Sequence, residues 1–353
     1  MKGLRKFIAP FAPDQSGAAA VFCELGGLVI ILDAGGCAGN ICGFDEPRWF
    51  TSRSAIFSAG LRDMDAILGR DDRLVEKISK ACKKVNGHFV AVIGTPVPAV
   101  IGTDYRALAR MIEKKTGLPA VAIDTNGMEL YDTGVQKAQK VLFEVFTGEE
   151  KEGQSREEKR LGILGATPMD FSGDMDKLTA YYREKGWDKI TCYGMGAGLA
   201  EVKSASCAGK NIVIAPAGLA AARHLEKKYD IPYETDYPVE ILSEWKEIGD
   251  CMPRWKEKKI LIVHQQILAN ALRDKLEKIP GTMVDVASWF MMEKQWKREQ
   301  DVHLKEEEQW NELVKEREYD VVIGDGLFQR GLSGFTGQYV KLSHFAVSGK
   351  RSE

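Results

Sequence analysis

The sequence predicts an α/β protein of three doubly wound, Rossmann-like domains with parallel sheets. Three observations carry this prediction. Short β-branched runs alternate with helical patterns along nearly the whole chain, and that order builds parallel sheets covered by helices. Nine such runs fall into three groups of three. Two polar stretches separate the groups, so each spans about a hundred residues, an ordinary domain size. The 353-residue chain is also long enough for two or three domains rather than one.

The first group is Leu28–Leu32, Phe89–Ile93 and Ala120–Ile123, in a domain expected over residues 1–150. The second is Leu161–Leu164, Lys189–Tyr193 and Asn211–Ile214, over residues 160–245. The third is Lys259–Val263, Met283–Ala287 and Asp320–Ile323, over residues 256–340. Helical periodicity fills most gaps, as in Tyr105–Lys115 and Lys177–Lys185. Residues 148–160, dense in Glu, Lys and Arg, read as a solvated linker, and residues 243–258, with Pro253, as a weaker break. Residues 293–318, rich in Glu, Lys, Arg and Gln with Trp296 and Trp310 interspersed, read as one long solvated helix. The tail, residues 341–353, is expected to leave the third unit and return to an earlier one.

Composition narrows the function. The chain is 44% hydrophobic and 28% charged, enough for sizeable cores in a soluble protein. Its 49 basic and 51 acidic residues give a formal net charge of −2, which argues against nucleic acid or an anionic membrane as partner. No apolar run approaches the ~20 residues of a membrane helix. The start, Met1-Lys-Gly-Leu-Arg-Lys-Phe-Ile, is too short in apolar length for a secretory signal. Seven cysteines form an odd set without disulfide-framework spacing, so a cytoplasmic, reducing location is expected.

Two of those cysteines occupy a conspicuous place. Directly after Leu28–Leu32 comes Asp33-Ala-Gly-Gly-Cys37-Ala-Gly-Asn-Ile-Cys42-Gly-Phe44. Two thiols lie among four glycines on the turn that ends a buried strand. They either hold a metal centre or are small residues filling space, and one Cys-x4-Cys does not decide between these. Cys23, Cys82, Cys192, Cys207 and Cys251 stand singly on helix or strand patterns and read as structural.

Other candidates are placed by the expected fold, since ligands of open parallel sheets lie beyond the C-terminal strand ends. Asp124, Thr167, His264, Gln265 and Asp325 stand there. His264 and Asp325 are the candidate catalytic residues. His264 follows Leu261-Ile-Val directly, so it either faces a cleft as ligand or proton donor or caps the next helix. Arg48 and Trp49, just past the cysteine loop, are candidates to touch substrate or partner. The role of His344, in Ser343-His-Phe-Ala346, is open. Tyr193-Gly194-Met-Gly196-Ala-Gly198 looks like a phosphate-cradling turn, but no acidic residue follows at the usual distance, so it reads as a plain connection. There is no Gly-x4-Gly-Lys-Ser/Thr loop, so the chain is not expected to hydrolyse ATP itself.

The order of several stretches resembles a known family. They are Gly17-Ala18 before Gly35-Gly36-Cys37, Gly94-Thr-Pro through Ile101-Gly102-Thr-Asp104, Asn211-Ile-Val-Ile-Ala-Pro216 with Leu225–Tyr233, and Tyr319-Asp-Val-Val-Ile-Gly-Asp325. Together they are similar to the nitrogenase component 1 family, which covers molybdenum–iron protein subunits, cofactor-assembly scaffolds and tetrapyrrole-biosynthesis reductases. The resemblance spans nearly the whole chain, here in a short, divergent form. It implies an iron–sulfur oxidoreductase subunit that takes electrons from an ATP-dependent iron-protein reductase and passes them to an unidentified small-molecule substrate. It also implies alternatives: a scaffold for metallocluster assembly, or a cluster-free partner-binding subunit.

The departures from the family matter equally. Of three expected cluster cysteines, only Cys37 is matched; the others fall near Pro13 and on Pro96, and Cys42 is new. The position that would anchor a catalytic cofactor falls on Ala215, so nitrogen fixation is not expected. A [4Fe–4S] cluster needs four thiolates. The resemblance therefore implies one shared between subunits, ligated by Cys37 and Cys42 of each chain of a homodimer or paralogous heterodimer.

Overall fold

The computed structural model describes residues 5–148, 156–171, 173–344 and 346. Three all-parallel sheets follow one another along the chain. The first part runs α1 (Asp14–Phe22), β1 (Leu28–Ile31), α2 (Gly36–Asn40), β2 (Ala55–Ser58), α3 (Asp63–Leu68), α4 (Asp71–Cys82), β3 (Val90–Ile93), α5 (Pro96–Ile101), α6 (Tyr105–Thr116), β4 (Ala120–Ile123) and α7 (Tyr131–Phe146). Its strands lie in the order β2-β1-β3-β4. The second runs β5 (Glu157–Leu164), α8 (Met175–Glu184), β6 (Lys189–Cys192), α9 (Leu199–Lys203), β7 (Ala208–Val213), α10 (Leu219–Tyr229), β8 (Tyr233–Thr235) and α11 (Trp245–Cys251), in sheet order β6-β5-β7-β8. The third runs β9 (Lys259–Val263), α12 (Gln266–Leu276), β10 (Met283–Ser288), β11 (Val302–His303), α13 (Glu307–Arg317), β12 (Val321–Gly324) and β13 (Gln338–Lys341), in sheet order β11-β10-β9-β12-β13.

The pattern of residues explains these elements. Central strands such as Leu28-Val-Ile-Ile31 and Val90-Ala-Val-Ile93 are buried at every position, as strands covered by helices on both faces must be. The helices bury one stripe each: Leu74, Val75 and Ile78 in α4, Leu108 and Ile112 in α6. The carboxylate of Asp104 accepts the Ala107 N–H and caps α6, and Asp174 accepts two N–H groups of α8. Helix α1 crosses α7 with backbones in contact. A Cβ on Gly17 would collide with the Tyr131 carbonyl, and one on Gly134 with the Asp14 carbonyl, so only glycine allows this approach.

Several expectations need correction. Residues 293–318 do not form one helix. They make a 3-10 turn at Lys294–Trp296, the edge strand β11 and the eleven-residue α13. Trp310 is fully buried, donating its indole N–H to the Phe328 carbonyl at 3.0 Å, so the charge-rich stretch contributes to the core. The expected linker over 148–160 is also shorter, because β5 starts at Glu157 and Arg160 is buried; residues 149–155 lie outside the described residues. The weaker break contains α11 and the buried Trp255. The third sheet extends to Lys341, and the tail then meets the chain start where Ala12 N–H donates to Ala346 O at 3.0 Å. Among the described residues no helix is long and apolar enough to cross a membrane.

Candidate metal centre and sheet junction

The cysteine loop sits beyond the C-terminal end of β1. Gly35 takes φ +123°, a backbone conformation open to glycine, and starts the short α2 with Cys37 on it. The chain then widens into a π-helical turn, Ile41–Asp45, which carries Cys42 and closes with Glu46 N–H on the Ile41 carbonyl at 2.8 Å. Such turns recur at functional sites. Two buried carboxylates hold the loop. Asp33 accepts Ala38 N–H at 2.8 Å and the Ser58 hydroxyl at 2.6 Å. Asp45 accepts the Ser16 hydroxyl of α1 and the Asn40 amide, both at 2.7 Å.

Both loop cysteines are free and partly exposed. Burial, then the nearby Glu46 and Asp33 carboxylates, pushes the Cys42 thiol up to about 11. A Cβ added at Gly35, Gly36, Gly39 or Gly43 would meet nothing within 4 Å, so the loop faces open space. No group of three or more His, Cys, Asp or Glu able to hold a metal occurs among the described residues. One chain therefore places two free thiols, Cys37 and Cys42, on this loop.

The strand-end edge of the first sheet also carries exposed apolar side chains. Phe44 is exposed beside Cys42, and the neighbouring strand-end helices expose Met64 and Leu68 on α3 and Val97, Val100 and Ile101 on α5. Met128, after β4, adds to the same edge of the sheet.

Arg48 does not face outward to a substrate. Its guanidinium bonds Glu46, Glu24, the Ala20 carbonyl and the Gly194 carbonyl. The Gly194–Gly198 turn is thereby docked on the first part of the chain, since Gly196 N–H also donates to Glu24 at 2.7 Å. With α9 only five residues long, the turn reads as a connection and contact surface. Trp49 packs against the core, partly buried. Cys23, Cys192, Cys207 and Cys251 are buried; burial pushes Cys23 up to about 11 and Cys192 up to about 12.

The other candidates stand at strand ends as expected, but the two catalytic candidates are enclosed. His264 is 2% exposed, with Nε2 3.0 Å from the Ser343 carbonyl. Gln265, not His264, caps α12, accepting Ile267 N–H at 2.8 Å; its amide also donates to the Ile214 carbonyl of the second part. Asp325 is fully buried and accepts the N–H groups of Leu327 and His344 at 2.9 and 2.7 Å. Thr167 is buried and Asp124 is exposed beside Lys137. Two groups absent from the sequence-based candidates lie at this junction. Asp170 faces His344 at 3.0 Å, and Asp132 at the start of α7 accepts Met291 N–H at 2.6 Å. Burial pushes Asp170 up to about 8 and Asp132 up to about 7. The only signal in the sequence was Asp170 flanked by the apolar Met169 and Phe171.

Comparison with known proteins decides the family. The family model of nitrogenase component 1 type oxidoreductases matches residues 14–247. The chain belongs to this family. Among curated relatives, the nitrogenase iron-molybdenum cofactor biosynthesis protein NifE of Sinorhizobium fredii is 24% identical, over 94% of this chain and 76% of that protein. NifE of Methanococcus maripaludis is 26% identical over 50% of this chain. The match spans only 36% of that relative's length and 38% of the Clostridium pasteurianum NifE. A solved structure of nitrogenase Cp1 at pH 6.5 superposes with a TM-score of 0.71 at 13% identity, covering 97% of this chain and 87% of that one. The nitrogenase component 1 fold accounts for the three successive parallel sheets.

Proposed function

We propose that this chain is one half of a homodimer that carries a [4Fe–4S] cluster between two copies of the Cys37–Cys42 loop, and that it serves metallocluster assembly as a scaffold. The observation that carries this reading is the contrast between two sites. The cysteine loop is partly exposed, faces open space and shares its strand-end edge with exposed apolar side chains on α3 and α5. Such an edge is what a protein partner covers. Two copies supply four thiolates, which fits the cluster's demand. The candidate catalytic residues His264 and Asp325, by contrast, are buried among the chain's own groups, and Ala215 offers no ligand. The biosynthetic role named for the NifE relatives points the same way.

When bound, such a cluster supplies single-electron storage and transferable iron and sulfide; the chain's own part is to present thiolates and loop N–H groups. A second reading keeps the electron-transfer role, with an ATP-dependent reductase as donor. Asp132 and Asp170 favour it, because a reductive enzyme needs groups that hold protons near neutral pH.

The test is anaerobic purification with iron and sulfide analysis. The wild type should hold about two irons per chain, half of a shared four-iron cluster, and run as a dimer. The double variant Cys37→Ser/Cys42→Ser should lose both iron and colour. Unchanged iron in that variant removes the site. Complete transfer of the cluster to an apo-protein supports the scaffold; ATP-dependent reduction of the bound cluster by an iron-protein reductase, with turnover, supports the enzyme.

A further inference from the structure

The loop after β5 and the segment after β13 belong to different sheets, yet they meet in a pair closed to solvent. Asp170 Oδ1 lies 3.0 Å from His344 Nε2, at ion-pair distance though not aligned as a hydrogen bond, and the side chains are 2% and 1% exposed. The His264 ring stands edge-on to His344 at 4.5 Å, and Phe290 lies against it at 4.4 Å. His344 N–H donates to Asp325, and Ser343 N–H donates to Glu244. Titratable neighbours come from three packed elements, Asp132 and Tyr131 from the start of α7, His264 from the end of β9 and Asp325 from the end of β12, while Phe290 after β10 contributes an apolar ring.

A lone carboxylate or a lone imidazolium in this place would be strongly disfavoured, whereas a pair holding one proton has no net charge. We propose that Asp170 and His344 together hold a single proton as a buried ion-pair contact and form a latch between the second and third sheets, closed while the proton is held and released when it leaves at alkaline pH. The latch is placed to act on the cysteine loop. The chain beyond His344 accepts Ala12 N–H through Ala346, two residues before α1, and α1 holds the loop through Ser16 and Asp45.

The sign follows from proton counts. Opened, the two groups titrate separately near about 3.9 and about 6.5. The open form thus binds two protons in acid, one in between and none above about 6.5. The closed form keeps one over this range, because burial holds the Asp170 carboxyl up to about 8. Between about 6.5 and about 8 the closed form holds one extra proton, so the opening constant rises about tenfold per pH unit.

Hydrogen exchange read by mass spectrometry, corrected for intrinsic rate, measures that slope. Peptides covering residues 5–16, 165–171 and 338–346 should open together with it in the wild type. In Asp170→Asn the slope should vanish, while Asp132→Asn should keep it. On the wild type alone, infrared spectroscopy should find a protonated carboxylic acid that disappears near pH 8, or ring NMR a His344 imidazolium that persists to that pH. A His344 that titrates alone near its ordinary value overturns the proposal, and so does an Asp170→Asn profile identical to the wild type. These readouts need no iron, so they stand or fall independently of the cluster.

Discussion

Replacing Arg48 by alanine is expected to loosen the cysteine loop and the Gly194 turn together. The guanidinium uses its five N–H donors in five hydrogen bonds, each at 2.8 Å: two to Glu46 and one each to Glu24, Gly194 O and Ala20 O. The Glu46 side chain is 1% exposed, so the variant leaves a buried carboxylate without its counter-charge. Breaking a buried pair by removing one partner costs about 3–5 kcal/mol. Glu24 is 25% exposed and regains water, so its contribution stays within about 1 kcal/mol. The Glu46 loss therefore decides the magnitude. About 3 kcal/mol corresponds to roughly a hundredfold in the local opening constant.

Hydrogen exchange over residues 36–50 and 190–198 reads this directly. Both segments should exchange about a hundredfold faster in Arg48→Ala, because one side chain spans both. Arg48→Lys should fall in between, since an ammonium offers three donors where five are used. Adding Glu46→Gln to Arg48→Ala should recover much of the loss by removing the stranded charge. A change below about fivefold, or a response in only one of the two segments, would refute the view of Arg48 as a clamp joining the loop to the second sheet.

Val100 is 85% exposed on α5 at the apolar edge; Val100→Asp should leave thermal unfolding unchanged yet convert the iron-loaded dimer to monomer in anaerobic sedimentation. Gly134→Ala places a methyl group inside the Asp14 carbonyl. Overpacking costs about 1–3 kcal/mol and sometimes more, alanine's helix preference offsets about 1, and chemical denaturation should show a net loss of about 2 kcal/mol. Burial holds Asp132 up to about 7, with Asp170 adding to the rise and the Met291 and Thr133 N–H groups opposing it. The folded state thus keeps a proton that the unfolded chain loses near about 3.9. This contribution is complete below that pH and is lost as pH rises through about 7. Asp132→Asn should flatten that part of the thermal stability profile between pH 4 and 8.

The nine strands legible in the sequence are those with a predominantly β-branched or apolar run. The four that escaped, Ala55–Ser58, Tyr233–Thr235, Val302–His303 and Gln338–Lys341, all lie at a sheet edge. Edge strands are half wet and short, so Tyr-Glu-Thr or Gln-Tyr-Val-Lys carries no apolar signal. Residues 293–318 misled for the opposite reason: charge density hid Trp310, whose burial depends on the distant Phe328. At the site, the glycines and the strand-end position marked Cys37 and Cys42. The Arg48 clamp and the Asp170–His344 pair join residues 146 and 174 positions apart, by the numbering of their partners, and local pattern cannot report such contacts.

The two prolines at the positions of missing family cysteines say something about how a cluster would be kept. Pro13 is the residue before α1 and Pro96 opens α5. Gly127 is wedged between the Pro96 ring and Gln15, so close that a Cβ there would lie 2.7 Å from the ring. Pro96 itself is therefore held in packing at the start of α5, and both thiols stand on the open Gly35–Gly43 loop. A cluster that takes half its ligands from each of two chains is tied thermodynamically to their association. Cluster binding stabilises the dimer, and separating the chains removes half the ligands. For a carrier the same coupling gives a route for handing the cluster on, and it makes the apolar α5 surface as much a part of the site as the cysteines.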